Sequence, residues 1–114
     1  MTAAELLIWG LVIHLVVDWL FQNRWIAENK TRLTHPSGYV HGVMHGAAML
    51  LIFPPLAALA LGTAHFVIDT RRPAKAWARI VSAPTEGALA IDVHMWRDQT
   101  AHIAAVAVAA LIVG

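Results

Sequence analysis

The sequence predicts an all-α protein: a four-helix transmembrane bundle of up-down-up-down topology that forms a single domain over residues 1–114. Three observations lead to this prediction. The chain is 59% hydrophobic and only 13% charged, whereas about a quarter of the residues in a soluble domain are charged. Its apolar residues form four separate stretches. Its basic residues lie in or next to the first and third of the three connections between these stretches, and the second connection carries none. That alternation is expected of a chain that crosses a membrane repeatedly.

The four apolar stretches are the predicted helices, and they cover residues 4–21, 39–53, 56–69 and 95–113. The first contains His14 and Asp18 and lacks a basic start, so we interpret it as a retained membrane segment, not a cleavable signal peptide. The second ends at Pro54-Pro55, because proline lacks the backbone donor of a helix. A crossing takes about 20 residues, so the shorter stretches need helical extension or a thinner bilayer. A soluble bundle is the alternative, disfavoured because the later stretches are apolar nearly all round.

The basic residues predict the orientation in the membrane. They lie on the side of the first and third connections: Arg24, Lys30, Arg32, Arg71, Arg72, Lys75, Arg79 and Arg97. The positive-inside rule places those connections in the cytoplasm and both termini outside. Within the third connection, the mixture of basic residues and Trp77 over 71–81 indicates either a short interfacial helix on anionic lipid or a solvated loop. The net charge of +1 does not indicate a nucleic-acid partner. Membrane lipid is the expected partner, and a homo-oligomer stays open.

Each apolar stretch carries one pair of potential metal ligands four positions apart: His14 and Asp18, His41 and His45, His65 and Asp69, and Asp98 and His102. Residues at i and i+4 lie on one helical face, so each pair can point at the bundle axis. In the predicted topology all four pairs lie near the cytoplasmic end. Ionisable residues at membrane depth usually mark a functional site. The alternative for four such pairs is a neutral hydrogen-bonded network that locks the bundle.

Five histidines and three aspartates are too many ligands for one tetrahedral zinc ion. They suit two divalent metal ions, and three carboxylates with one bridging hydroxide would balance the charge of both. Zinc is the preferred ion, with iron or manganese as alternatives, since imidazole and carboxylate bind all three. Asp18, Asp69 and Asp98 are the predicted catalytic residues, because a carboxylate that is free of metal serves as a general base. Some of the eight side chains would instead orient the ligands.

Several motifs resemble those of small bacterial and phage membrane proteins grouped as domain of unknown function 3307. They begin with His14-Leu15-Val16-Val17-Asp18-Trp19-Leu20-Phe21-Gln22 and Trp25-Ile26-Ala27-Glu28-Asn29-Lys30. His41-Gly42-Val43-Met44-His45, His65-Phe66-Val67-Ile68-Asp69 and Asp98-Gln99-Thr100-Ala101-His102 are similar to later motifs of that family. The pattern also has a looser likeness to inner-membrane metal-dependent hydrolases. That likeness implies a metal site more than it implies a substrate.

The preferred function is therefore a membrane-embedded, metal-dependent hydrolase that acts near the cytoplasmic face. A phosphoester or another amphipathic, lipid-like ester suits that location, and a pair of metal ions can activate water and clamp a phosphoryl group. Basic residues near the site would either hold a phosphate or only set the topology. The residues that follow the first ligand pair could cap the site, and they are Gln22, Asn23, Glu28, Asn29 and Lys30. The alternatives are a di-iron or di-manganese redox protein and a non-enzymatic metal-binding or transport protein. His35, Asp92 and His94 lie in the connections and are weaker site candidates.

Overall fold

The structure is a computed structural model that describes residues 1–82 and 88–114, without the side chains of residues 88–93. All regular structure in these residues is helical, which confirms the all-α prediction. The elements in chain order are α1 (Ala3–Leu15), a π-helical turn (Val16–Leu20), α2 (Arg24–Asn29), α3 (Pro36–Met49), α4 (Pro55–Asp69), α5 (Arg72–Ile80) and α6 (Ala88–Val113).

The prediction of four helices is incomplete, because two short helices lie in the connections. The six-residue helix α2 has too few residues to show a hydrophobic period, but the Asn23 side chain caps it by accepting from the N–H of Ile26. Helix α5 occupies most of the segment 71–81, so the solvated-loop alternative is wrong there. Helix α6 begins at Ala88, before the predicted start at residue 95. The remainder of that connection, residues 83–87, lies outside the described residues.

Local signals in the sequence explain where the long helices begin. Thr2 and Glu5 form a capping box at the start of α1, with Thr2 Oγ1 accepting from the Glu5 N–H at 3.2 Å. The His35 side chain accepts from the Ser37 N–H at the start of α3. Helix α4 starts at Pro55, where the fixed φ of proline suits the first helical turn.

The interior of the bundle has two layers along the helix axes. Inward positions recur about every four residues, so that on the first helix Leu6, Gly10, His14 and Asp18 are all buried. Near the chain termini these positions are apolar and form a core cluster of Leu6, Met49, Phe53, Ala58, Leu61, Val106 and Ala110. Toward the basic connections the inward positions are histidine and aspartate. We call these two regions the apolar layer and the polar layer.

Helices α3 and α4 approach each other closely at glycine. A Cβ placed on Gly62 would lie 3.0 Å from the Cα of Gly46 and 3.0 Å from the carbonyl oxygen of Gly42. Both neighbours are backbone atoms of the facing helix, so they cannot give way by a rotamer change. Small residues at this spacing allow backbones to touch in membrane and soluble bundles alike.

One helical stretch in the described residues, Ala3–Leu20, is long and apolar enough to cross a membrane, with 18 residues and a mean hydropathy of 1.8. Helix α4 is apolar but shorter. One such stretch is weak evidence, since the core helix of a soluble protein has the same properties. Helix length and composition therefore support one of the four predicted membrane spans.

Candidate metal centre

The structure brings all eight predicted site residues into the polar layer. Seven of them are buried, and Asp98 is partly exposed. They are His14 on α1, Asp18 on the π-helical turn, His41 and His45 on α3, His65 and Asp69 on α4, and Asp98 and His102 on α6. The π-helical turn is closed by the Phe21 N–H, which donates to the Val16 carbonyl at 3.1 Å. Such turns often occur at functional sites, and here the turn carries Asp18.

One set of four buried side chains has the spacing of a metal site. It consists of Asp18, His41, His65 and Asp69. The four nitrogen-to-oxygen distances between its imidazoles and carboxylates are 2.9, 3.1, 3.6 and 3.6 Å. A tetrahedral zinc ion with bonds of about 2.0–2.2 Å holds its ligand atoms about 3.3–3.6 Å apart. These side chains therefore need to shift by only a few tenths of an ångström to hold a divalent ion.

Asp69 connects this set to a second one. Its Oδ2 faces His65 Nε2 at 3.1 Å, while its Oδ1 faces His102 Nε2 at 3.1 Å. His102 also approaches Asp98 at 3.6 Å, and Asp69, Asp98 and His102 form a second candidate ligand set. A third set joins His14, His65 and His102. Any two of these sets share a residue, so the three sets cannot all hold ions with full ligation.

Gln99 orders the protons at the centre of the cluster, and the sequence analysis missed it. Its Nε2 donates to Asp18 Oδ2 at 3.1 Å, which turns its Oε1 toward His14 Nε2 at 3.0 Å. Because an amide oxygen only accepts, His14 Nε2 must carry the proton. In a neutral His14 the other nitrogen, Nδ1, then accepts from His45 Nε2 at 3.3 Å. His14 can therefore bind a metal ion only through Nδ1 in this arrangement. The one sequence signal for Gln99 is its place beside Asp98.

Buried imidazole nitrogens without a hydrogen-bond partner favour a bound cation. They are Nδ1 of His41, Nδ1 of His45 and Nδ1 of His65, and His65 Nε2 joins them because its 3.1 Å contact with Asp69 Oδ2 lacks the angles of a hydrogen bond. Buried polar atoms in folded proteins nearly always have a partner, so these atoms call for one. The His65 Nε2 atom lies within the four-residue set, where a metal ion would accept its lone pair. The residues present therefore fit a divalent metal ion.

His45 differs from the other predicted ligands because it belongs to none of the three ligand sets. Its ring stacks on His65, with centroids 4.0 Å apart and planes inclined by 16°. It also donates to His14 as described above. These contacts fix the orientation of two neighbouring imidazoles, which is the role of a supporting residue and not of a ligand.

Lys30 is the second residue whose position the sequence analysis missed. It ends α2, and its Nζ lies 3.5 Å from Asp18 Oδ1 and 3.3 Å from Asp69 Oδ1. Its side chain is 12% exposed, so it reaches the carboxylates from the surface of the cluster. The sequence pattern indicated Lys30 as a residue that could cap the site, hold a phosphate or set the topology, and it gave no pairing with particular aspartates.

Arg24 and His35, two other candidates in the connections, belong to none of the ligand sets. Arg24 pairs with Glu28 at 2.6 Å, and the Arg24 side chain is 89% exposed. His35 caps α3 and contacts Ser37 Oγ at 2.8 Å. The side chain of Asp92 lies outside the described residues.

One protein family matches the chain, described as Protein of unknown function (DUF3307), over residues 6–114. The chain belongs to this family. No curated protein and no solved structure matches the sequence or the fold. The DUF3307 match covers α1 from Leu6 onward and all of α3, α4 and α6, so the polar layer and its supporting residues Lys30 and Gln99 lie inside the family region. The description of the family names no activity.

Proposed function

We propose that this DUF3307 protein is an integral membrane protein that binds divalent metal in its polar layer and hydrolyses a phosphoester at the cytoplasmic face. The observation that carries the proposal is the buried set Asp18, His41, His65 and Asp69, whose spacing fits a metal ion. Zinc suits a set of two imidazoles and two carboxylates, and iron or manganese would also accept it.

The outer surface supports a membrane location. Large apolar side chains are exposed on each long helix, among them Leu15 on α1, Val43 on α3, Leu59 on α4 and Leu111 on α6. Soluble monomers rarely expose contiguous apolar surface of this extent. Helix α4, with 15 residues, is about 22 Å long at 1.5 Å per residue. The hydrocarbon core is about 30 Å thick, so the proposal requires the bilayer to thin around the α3–α4 hairpin.

Helix α5 supports the same location as an interfacial element. Arg72, Lys75 and Arg79 are three and four positions apart and form one basic face. Trp77 and Ile80 are exposed on another face, by 54% and 74%. A short helix with this composition lies in the headgroup region of an anionic leaflet, with its apolar side chains toward the acyl chains.

Hydrolysis is favoured by the two partly exposed members of the cluster. The side chains of Asp98 and Lys30 are 18% and 12% exposed, whereas the four-residue set is almost fully buried. A substrate therefore approaches from the side of Asp98 and Lys30. A divalent ion in the set supplies the Lewis acidity that polarises a phosphoryl oxygen and water. Asp98 lies outside the four-residue set and is the aspartate available as a general base.

A metal site without turnover is the second candidate, because the burial of all four ligands also suits a structural or sensing metal. Structural sites are closed by protein ligands, while catalytic sites keep a position open. The two candidates differ in activity and not in metal content.

The test is metal analysis of the detergent-purified protein, followed by turnover assays. We expect the wild type to bind divalent metal and to hydrolyse a phosphomonoester, a phosphodiester or phosphatidic acid in mixed micelles. His65→Ala and Asp69→Ala should lose both properties. His35→Asn, which retains a capping side chain outside the cluster, is the control and should retain both. Absence of metal from the wild type after incubation with zinc, iron or manganese would refute the metal site. Bound metal without turnover would leave the second candidate.

A further inference from the structure

The ammonium group of Lys30 contacts the carboxylates of two predicted ligands, and it lies 3.5 Å from Asp18 Oδ1 on the side of the four-residue set. Its Nζ is 3.3 Å from Asp69 Oδ1, the carboxylate oxygen that faces away from His65. A carboxylate that bridges two metal ions directs one oxygen at each ion. The Oδ2 atom of Asp69 already faces the four-residue set, so Oδ1 is the atom that a second ion would use. Lys30 and His102 both reach that atom.

The backbone holds Lys30 firmly at this place. The Lys30 N–H donates to the Ile26 carbonyl at 2.9 Å and closes α2, whose Ile26 side chain is buried. On the other side, a Cβ placed on Gly38 would lie 2.8 Å from the Lys30 carbonyl oxygen. The chain at Lys30 is thus packed against the first turn of α3. The Lys30 side chain is only 12% exposed and contacts two carboxylates, so it has fewer rotamers available than an exposed surface lysine.

Lys30 also supplies positive charge to the carboxylates of the cluster. Its ammonium group contacts both Asp18 and Asp69, while Asp98 lies beside His102. Lys30 therefore provides part of the positive charge that a second metal ion would otherwise bring to these aspartates. Buried charge is stable only when it is paired. The sequence-based estimate of two ions did not include the ammonium group.

We propose that Lys30 takes the place of a second metal ion, so that the wild-type protein binds one divalent ion in the set of Asp18, His41, His65 and Asp69. This inference rests on the proposed metal-binding function. Removal of the ammonium group leaves Asp69 Oδ1, Asp98 and His102 free to bind a second ion. The stoichiometry of the centre is therefore set by a residue that is not a ligand.

The experiment measures zinc per protein after equilibrium dialysis in detergent, by mass spectrometry of the metal. The variants are Lys30→Met, which removes the charge, and Lys30→Arg, which retains it. Lys75→Met is the matched control, because Lys75 is the other lysine of the chain and lies exposed on α5. We expect one equivalent of zinc in the wild type, Lys30→Arg and Lys75→Met, and two equivalents in Lys30→Met.

A second measurement, thermal unfolding, tests the proposal even if Lys30→Met folds poorly. Without an ammonium group the two aspartates repel each other, so the thermal unfolding temperature in EDTA should fall below that of the wild type. Added zinc should restore it. Three results would overturn the assignment of Lys30 while the metal site stands. They are one equivalent of zinc in both the wild type and Lys30→Met, two equivalents in the wild type, and a Lys30→Met variant whose unfolding temperature zinc does not restore. No zinc in any variant would overturn the metal site as well.

Discussion

Replacing Gln99 with leucine tests whether one amide orders the whole polar layer. Leucine has nearly the same volume but has neither donor nor acceptor. The substitution removes the bond from Gln99 Nε2 to Asp18 Oδ2 and the bond from His14 Nε2 to Gln99 Oε1. The buried N–H of His14 then has no acceptor, and the proton is no longer fixed on Nε2. Asp18, a member of the four-residue set, loses a donor that orients it.

Two quantities should change. A buried donor left without a partner costs about 1–3 kcal/mol, and a hydrogen bond to a charged group contributes about 1.5–3 kcal/mol. Gln99 is only partly buried, which places the expected loss of stability in the lower part of that combined range, at about 2.5–4 kcal/mol. Loss of a residue that orients metal ligands typically reduces metal affinity about 10–100-fold.

The assay for affinity is competition for zinc between the protein and a fluorescent chelator in detergent. Stability is measured in the same detergent by thermal unfolding of the metal-free protein. Thr100→Val is the control, because Thr100 is the adjacent residue, is exposed, and donates its hydroxyl to the Trp96 carbonyl of its own helix. Zinc affinity of Gln99→Leu equal to that of the control would refute the argument that Gln99 fixes the tautomer of His14 and the position of Asp18.

Further predictions concern packing, metal removal and orientation. Gly62→Val should lower the stability by about 1–3 kcal/mol or more, because its side chain meets the backbone of Gly46; thermal unfolding measures this, and an unchanged midpoint would contradict the close approach of α3 and α4. Removing zinc with EDTA should lower the free energy of unfolding by about 2.7 kcal/mol relative to zinc at 100 times its Kd, and a midpoint insensitive to zinc would contradict a folded-state site. The chain has no cysteine, so a single introduced cysteine reports the side of the membrane on which it lies. In spheroplasts a membrane-impermeant maleimide should label Leu51→Cys and not Thr34→Cys. The reverse labelling pattern would contradict the proposed topology.

The sequence predicts the polar layer well because its spacing is local. Four residues make slightly more than one α-helical turn, so a pair such as His65 and Asp69 must share a face whatever surrounds the helix. Two such faces in adjacent helices of a bundle meet in the core, and the structure brings the pairs together. The spacing does not determine which atoms face each other. It therefore does not predict that His45 stacks on His65 and lies outside the three ligand sets.

Lys30 and Gln99 escape prediction for different physical reasons. Lys30 reaches the site through α2 and the contact of its backbone with Gly38, which depends on the path of a connection and not on helical period. Gln99 follows Asp98 and points into the same cluster from the same helix, but an amide has no charge or metal-ligand signature that marks it. Both residues act by pairing with aspartates, and pairing across elements is a tertiary property.

The two-layer interior bears on what the centre can do. Each long helix keeps one inward face along its length, and that face changes from apolar to ionisable partway along. On α1 the change lies between Gly10 and His14, and on α6 it lies between His102 and Val106. A path for an ion through the bundle would need ligands at several depths, because each step away from polar partners is costly in a medium of low polarity. In the part of the chain that the structure describes, the apolar layer offers Leu6, Phe53 and Leu61 in place of such ligands. Under the proposed function, ions and substrates would enter and leave on the side of Lys30 and Asp98, which favours a site that holds or uses a metal over one that passes it on.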